Sequence, residues 1–135
     1  MQKRPRILAA GTPDAIEALL KALGDDADVV PAYSVKEALA RLDEGGFDTI
    51  ACNVRFDESR MFEFLQAVME RTPGAGLRIV SFRVEDRPIT PSRRDAIRNA
   101  LEALGVERFV DLAQLRAESG DDFALQTLRN MVLGS

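Results

Sequence analysis

Hydrophobic positions along the chain fall into short continuous runs, separated by longer segments in which apolar residues recur every three or four positions. Runs of the first kind read as strands buried on both faces, and segments of the second kind as amphipathic helices. Arg6 to Ala10 is the first run, closed by Gly11. Thr12 is placed to cap a helix with Pro13 at its first position, where the missing N–H costs nothing. Ile16, Leu19, Leu20 and Leu23 follow at helical spacing, and Gly24 stops the helix. Asp28 to Tyr33 is the second strand. Ser34-Val35-Lys36-Glu37 is a capping box, opening a helix that carries Val35, Ala38, Leu39 and Leu42 and ends at Gly45-Gly46.

Phe47 to Val54 is predicted as the third and central strand, because its middle is apolar throughout. A helix bearing Phe62, Leu65, Val68 and Met69 follows and is terminated by Thr72-Pro73-Gly74. Leu77 to Phe82 is the fourth strand. Ser92 is expected to cap the next helix, with Ile97, Ala100, Leu101 and Leu104 on its apolar face and Gly105 just past its end. Arg108 to Leu112 is the fifth strand. Phe123, Leu125, Leu128 and Val132 mark a last helix after the polar turn Glu118-Ser119-Gly120-Asp121-Asp122. Five strands alternating with five helices predict an α/β fold. Right-handed crossovers favour a doubly wound five-stranded parallel sheet in flavodoxin-like order 2-1-3-4-5, a three-layer α/β/α sandwich. Residues 1–135 read as one domain with its core at about 5–133 and an extended loop at about 83–92.

Composition narrows the chemistry. The chain has no histidine and one cysteine, Cys52, which excludes the usual zinc sites, a His-based triad and an internal disulfide. Cys52 itself reads as an inert buried thiol. Lys plus Arg total 18 against 22 Asp plus Glu, a net charge of −4 that argues against a nucleic-acid partner. Basic residues cluster locally, at Lys3, Arg4 and Arg6 and again at Arg83, Arg87, Arg93, Arg94 and Arg98. No apolar run reaches the roughly 20 residues of a membrane span, and the first residues lack the apolar core of a signal peptide. A cytoplasmic protein with no membrane partner is expected.

Ligands of an open α/β sheet sit outside the carboxyl ends of the strands, where strand order reverses. The residues emerging there are Gly11, Thr12, Asn53, Asp57, Ser81 and Leu112. In register, Phe47-Asp48-Thr49-Ile50-Ala51-Cys52-Asn53 resembles the receiver strand of response regulators that ends in the phosphorylated aspartate. The continuation from Val54 to Leu65 keeps that family's spacing, with Phe62, Glu63, Phe64 and Leu65 similar to its residues. Gly105-Val106-Glu107-Arg108-Phe109-Val110 is similar to its approach to the last strand. The resemblance covers most of residues 5 to 133.

The departures from that family carry the functional expectation. The resemblance implies a magnesium-binding acidic pair where this chain has Gly11 and Thr12. It implies a phosphoacceptor aspartate at Asn53, a hydroxyl at Ser81, a lysine at Leu112, a proline at Asp57 and a glycine at Met61. Only the hydroxyl is kept. An amide is not the nucleophile an acyl phosphate needs, and phosphoryl transfer further needs cations to hold the developing charge. The expectation is therefore a degenerate pseudo-receiver with no catalytic residue, no metal and no cofactor. It would be a protein-interaction module in bacterial signal transduction that meets a signalling kinase, another regulator or a second copy of itself. Candidate partner-binding residues are Arg83, Arg87, Ile89, Arg93 and Arg94, in a stretch longer than its receiver counterpart and stiffened by Pro88 and Pro91. This loop is placed to fold over the old pocket. The alternative is a sensor for an anionic metabolite, with Thr12, Asn53, Ser81 and a loop arginine as donors.

Overall fold

The computed structural model describes residues 4–71 and 76–134. Strands β1 (Arg6–Ala10), β2 (Asp28–Ala32), β3 (Thr49–Asn53), β4 (Arg78–Arg83) and β5 (Arg108–Asp111) form one parallel sheet in the order β2-β1-β3-β4-β5. The doubly wound architecture expected from the alternation of elements is thus the one observed. The helices are α1 (Pro13–Leu23), α2 (Val35–Glu44), the single turn α3 (Phe56–Ser59), α4 (Met61–Arg71), α5 (Pro91–Ala103), α6 (Leu112–Ser119) and α7 (Asp121–Leu133). The central strand β3 is buried at every position. Pro31 is tolerated in β2, opposite Ala9, because that strand lies at the sheet edge.

Two apolar layers sandwich the sheet. Ile7, Ala9, Ala51, Val80, Phe82 and Val110 face α1 and α7, meeting Leu19, Leu23, Leu128 and Val132. Leu8, Ala10, Ile50, Cys52 and Phe109 face the opposite layer, which holds Ala38, Phe64, Leu65 and Leu101. Burial pushes the Cys52 thiol well above its ordinary range, as expected of a sulfur in an apolar layer. Thr12 caps α1 by accepting from Ala15 N at 3.4 Å, with Pro13 next. Ser34 caps α2 by accepting from Glu37 N at 3.1 Å, and Glu37 reaches back to the N–H of Tyr33 at 2.7 Å.

Several boundaries differ from the sequence reading. The strand over β5 stops at Asp111, which accepts from Gln114 N at 3.4 Å and caps α6, so Leu112 is a helical residue. Helix α6 has no periodic signature in the sequence, because its buried residues, Leu112 and Ala113, are adjacent and form no stripe. Helix α5 is capped by Thr90, not Ser92: Thr90 Oγ1 accepts from Arg93 N at 3.1 Å and Pro91 takes the first helical position. The irregular loop shrinks to 84–90, because Arg83 belongs to β4 and Pro91 and Ser92 to α5. Phe123 is 52% exposed and Ala100 is exposed, so neither joins the core. The N-terminal basic cluster is tied down: Arg4 donates to Asp25 O, and Arg6 donates to Gly45 O and stacks on Phe47. Lys3 and the Thr72-Pro73-Gly74 terminator lie outside the described residues.

Candidate functional site

The carboxyl ends of β1 and β3 are closed by a tight contact. Asn53 ends β3 with no exposed surface, and its Oδ1 accepts from Thr12 N at 3.1 Å. A Cβ on Gly11 would lie 3.0 Å from that same Oδ1 and 3.0 Å from Ala15 Cβ. Glycine is therefore what lets the β1–α1 turn approach the amide. Gly11 N is satisfied by Ala32 O at 3.1 Å. The other half of the Asn53 amide, Nδ2, has no hydrogen-bond partner among the described residues. An orphaned buried donor costs about 1–3 kcal/mol.

Asp57 does not turn into this corner. It opens a left-handed turn, with φ of 47°, 56° and 67° at Asp57, Glu58 and Ser59. Each such residue costs about 1–3 kcal/mol and persists only where its surroundings over-determine it. Here Phe56 anchors the turn from inside, fully buried and edge-on to Phe64 at 5.2 Å. Asp57 Oδ2 accepts from Val35 N at 2.8 Å and from Arg60 at 3.2 Å. The carboxylate thus serves the N-terminus of α2, where partial positive charge favours it.

Ser81 is on the wrong face of the sheet. Cys52 pairs with Ser81 and Asn53 with Phe82, and paired residues of parallel strands point the same way. Ser81 Oγ contacts Met61 Sδ at 3.0 Å in the layer under α4. The position beside Asn53 is filled by Phe82, and Leu112 is fully buried in the same layer. Of the six residues expected to share a pocket, Gly11, Thr12 and Asn53 come together, Leu112 is buried in the same layer as Phe82, and Ser81 and Asp57 are elsewhere. The set does not fit magnesium: positions 11 and 12 supply no carboxylate, the one Asn53 oxygen already holds Thr12 N, and Asp57 is committed to α2. Closure is mainly internal, although Val84 at the start of the loop also packs on this layer.

The ends of β4 and β5 carry a different arrangement, a buried ion network. Asp111, with its side chain 1% exposed, lies 3.1 Å from Arg83 and 3.3 Å from Arg94. Arg83 also faces Glu85 at 3.4 Å and donates to the Arg87 carbonyl, and Arg55 meets Glu85 at 3.6 Å. Arg83 is 6% exposed, and the Arg94 side chain is 14% exposed. These two are structural ions and not the loop-surface arginines the sequence suggested. Arg87 and Arg93 are exposed, with no carboxylate within ion-pair distance among the described residues. They flank a groove of about 740 Å³ together with Arg55, over Val54, Ile97 and the half-buried Ile89. Arg55, Asp111 and Phe82 were not singled out from sequence. Opposite charges at the last positions of neighbouring strands β4 and β5 were the signal for Arg83 and Asp111.

No family model and no curated protein matches the sequence. Solved structures do match. The chemotaxis response regulator CheY4 of Vibrio cholerae aligns with a TM-score of 0.70 at 20% identity, covering 96% of this chain and 100% of that one. The phosphorylated cyanobacterial phytochrome response regulator RcpA aligns with a TM-score of 0.71 at 15% identity, over 97% and 95% of the two chains. A putative response regulator from Chloroflexus aurantiacus aligns with a TM-score of 0.65 at 16% identity, over 96% and 98%. At such identities the likeness speaks for architecture: the chain has the five-stranded α/β fold of response-regulator receiver domains.

Proposed function

We propose that this protein is a receiver-fold module that takes no phosphoryl group and signals by binding another protein. The observation that carries the reading is Asn53, an amide with no exposed surface, pinned by Thr12 N where the fold would present a nucleophilic carboxylate. Phe82 and Leu112 add weight, because apolar side chains occupy the layer in which a cation would have to offset developing charge. The partner is a signalling kinase, another regulator or a second copy of the chain, and we place the protein in the cytoplasm. No helix among the described residues is long and apolar enough to cross a membrane. The metabolite-sensor alternative loses two of its donors, since Asn53 and Ser81 are both fully buried.

The test is direct. With magnesium and acetyl phosphate the intact protein gains no mass, and beryllofluoride leaves the amide resonances around Asn53 in place. A stable phosphoryl adduct at residue 53 or 57 overturns the proposal.

A further inference from the structure

The groove between the α3 turn and the 84–90 loop has a chemistry unlike the rest of the molecule. The chain carries net charge −4. The groove nevertheless collects Arg55, Arg83, Arg87 and Arg93 against Glu85 and Asp86. Arg83 is spent on Asp111 and Glu85, and Glu85 also holds Arg55. That leaves the guanidinium groups of Arg87 and Arg93 to face an incoming anion. Val54, Ile89 and Ile97 also line it, all half-buried and two of them packed on the core, and give it an aliphatic floor.

The walls are held in place. The Arg83–Asp111–Arg94 network ties β4 and β5 to α5, and Arg83 also holds the Arg87 carbonyl. Thr90 and Pro91 fix the start of α5, and hence the backbone of Arg93. A surface set this way presents cations without a large ordering cost on binding.

We propose that this groove docks an extended acidic segment of a partner protein, with carboxylates on Arg87 and Arg93 and aliphatic side chains on Ile89, Ile97 and Val54. The inference rests on the interaction reading above and names the partner's chemistry. A small metabolite fits less well. Small-ligand sites enclose roughly 70–90% of their ligand, whereas here Arg87 and Arg93 are exposed and the Arg55 side chain is 58% exposed. Exposed arginines around an aliphatic floor have the anatomy of a protein interface, a polar rim about apolar anchors. Arginine suits that rim because its planar fork meets a carboxylate through two parallel N–H groups.

The experiment uses the full chain and a fluorescein-labelled peptide alternating Glu and Leu, followed by anisotropy. The peptide is expected to bind, and more weakly as salt rises. Reversing charge with Arg87→Glu and Arg93→Glu weakens it by about tenfold or more, since two favourable pairs become repulsive. A peptide with Ala in place of Leu is weaker by a similar factor, because the aliphatic floor is left uncovered. A thermal melt confirms that the reversed variant is folded, and the milder Arg93→Gln gives a severalfold loss if it is not. No binding, binding insensitive to the arginines, or equal affinity for the Ala and Leu peptides each overturns the proposal. Full displacement by citrate at a concentration matching its own tight binding also overturns it, in favour of a small-anion site. The mass measurement after acetyl phosphate is independent of all these outcomes. A groove that fails to bind peptide leaves the phosphorylation-inert reading standing, and an adduct at residue 53 or 57 leaves the groove result to be judged alone.

Discussion

The two halves of the strand-end surface solve the same problem in opposite ways. Over β1 and β3, polar backbone and one amide are brought so close that a Cβ at position 11 would crowd the Asn53 oxygen at 3.0 Å, and Phe82 and Leu112 are buried in the same layer. Over β4 and β5, space that a side chain might have filled is spanned by charge, with Asp111 between two arginines and Glu85 beyond them. The first half is closed by packing. The second has been made rigid by ions, and its rim remains open to solvent. Mutations that tell a buried arginine from an exposed one, or a tolerated amide from a tolerated carboxylate, test whether this contrast is real.

The largest effect is expected at Arg83. Removing one partner of a buried ion pair leaves the other charged and unpaired, which costs about 3–5 kcal/mol. Arg83→Ala should therefore lower the stability measured by urea unfolding by that amount, because Asp111 has a side chain 1% exposed. Asp111→Ala should cost as much or more, since it also strips the cap of α6. A loss below about 1 kcal/mol, the range of surface ion pairs, would place Arg83 among the solvated arginines and erase the contrast.

Asn53→Asp probes the closed corner. Oδ1 would keep Thr12 N, but the second carboxylate oxygen would replace an Nδ2 that has no partner, in a place with no exposed surface. Desolvation raises the pKa of such a carboxyl above its unfolded value. A raised folded pKa means that the variant matches the parent below the unfolded pKa, near pH 4, and loses stability as pH rises through the folded value. The expected penalty near neutral pH is about 2 kcal/mol, with no magnesium-induced shift in melting temperature. A variant that binds magnesium at physiological concentration would show the corner to be more open than its geometry implies.

The fold was legible because short apolar runs alternate with amphipathic helices whose caps are written in the sequence. Thr12-Pro13 and Ser34–Glu37 announce α1 and α2, and both caps are made as their residues suggest. The site was less legible, for a reason that lies in the strands themselves. Asn53 follows Cys52, and Ser81 sits between Val80 and Phe82, in stretches where both faces are buried. Period-two alternation is then invisible, so nothing marks Ser81 as pointing away from Asn53. The left-handed turn was hidden as well, because Asp57, Glu58 and Ser59 have no sequence signature for three consecutive positive φ values. The buried role of Arg83 depends on where the strands end: the sequence places Arg83 just past the fourth strand and Asp111 inside the fifth, whereas they are the paired last residues of β4 and β5. Only with those ends in place do the two charges read as a pair.

A smaller effect separates two neighbouring hydroxyls at the start of α5. Thr90 accepts from Arg93 N, and removal of such a cap costs about 1 kcal/mol. Ser92 lies inside the first turn and is exposed, so Ser92→Ala should be close to neutral. Chemical unfolding of the two variants, side by side, reads the difference. Equal losses would mean that the helix start, and with it the base of the groove, is set by something other than the Thr90-Pro91 pair.

The smallest effect on stability is expected from the residues that carry the proposed function. Arg87 and Arg93 are exposed and lack carboxylate partners among the described residues, so neither contributes a buried charge or a filled volume. Substitutions at such sites usually stay within about 0.5 kcal/mol. The Arg87 carbonyl that holds Arg83 belongs to the backbone and survives side-chain truncation. Arg87→Ala with Arg93→Ala should accordingly unfold at nearly the parent's urea midpoint, with an unchanged slope. The same double variant should lose self-association or capture of its partner, read by analytical ultracentrifugation or by an immobilised bait. A double variant destabilised by more than about 1.5 kcal/mol would join these arginines to the Arg83–Asp111 network. The second half of the strand-end surface would then be a closed structural element like the first, with no rim left for a partner.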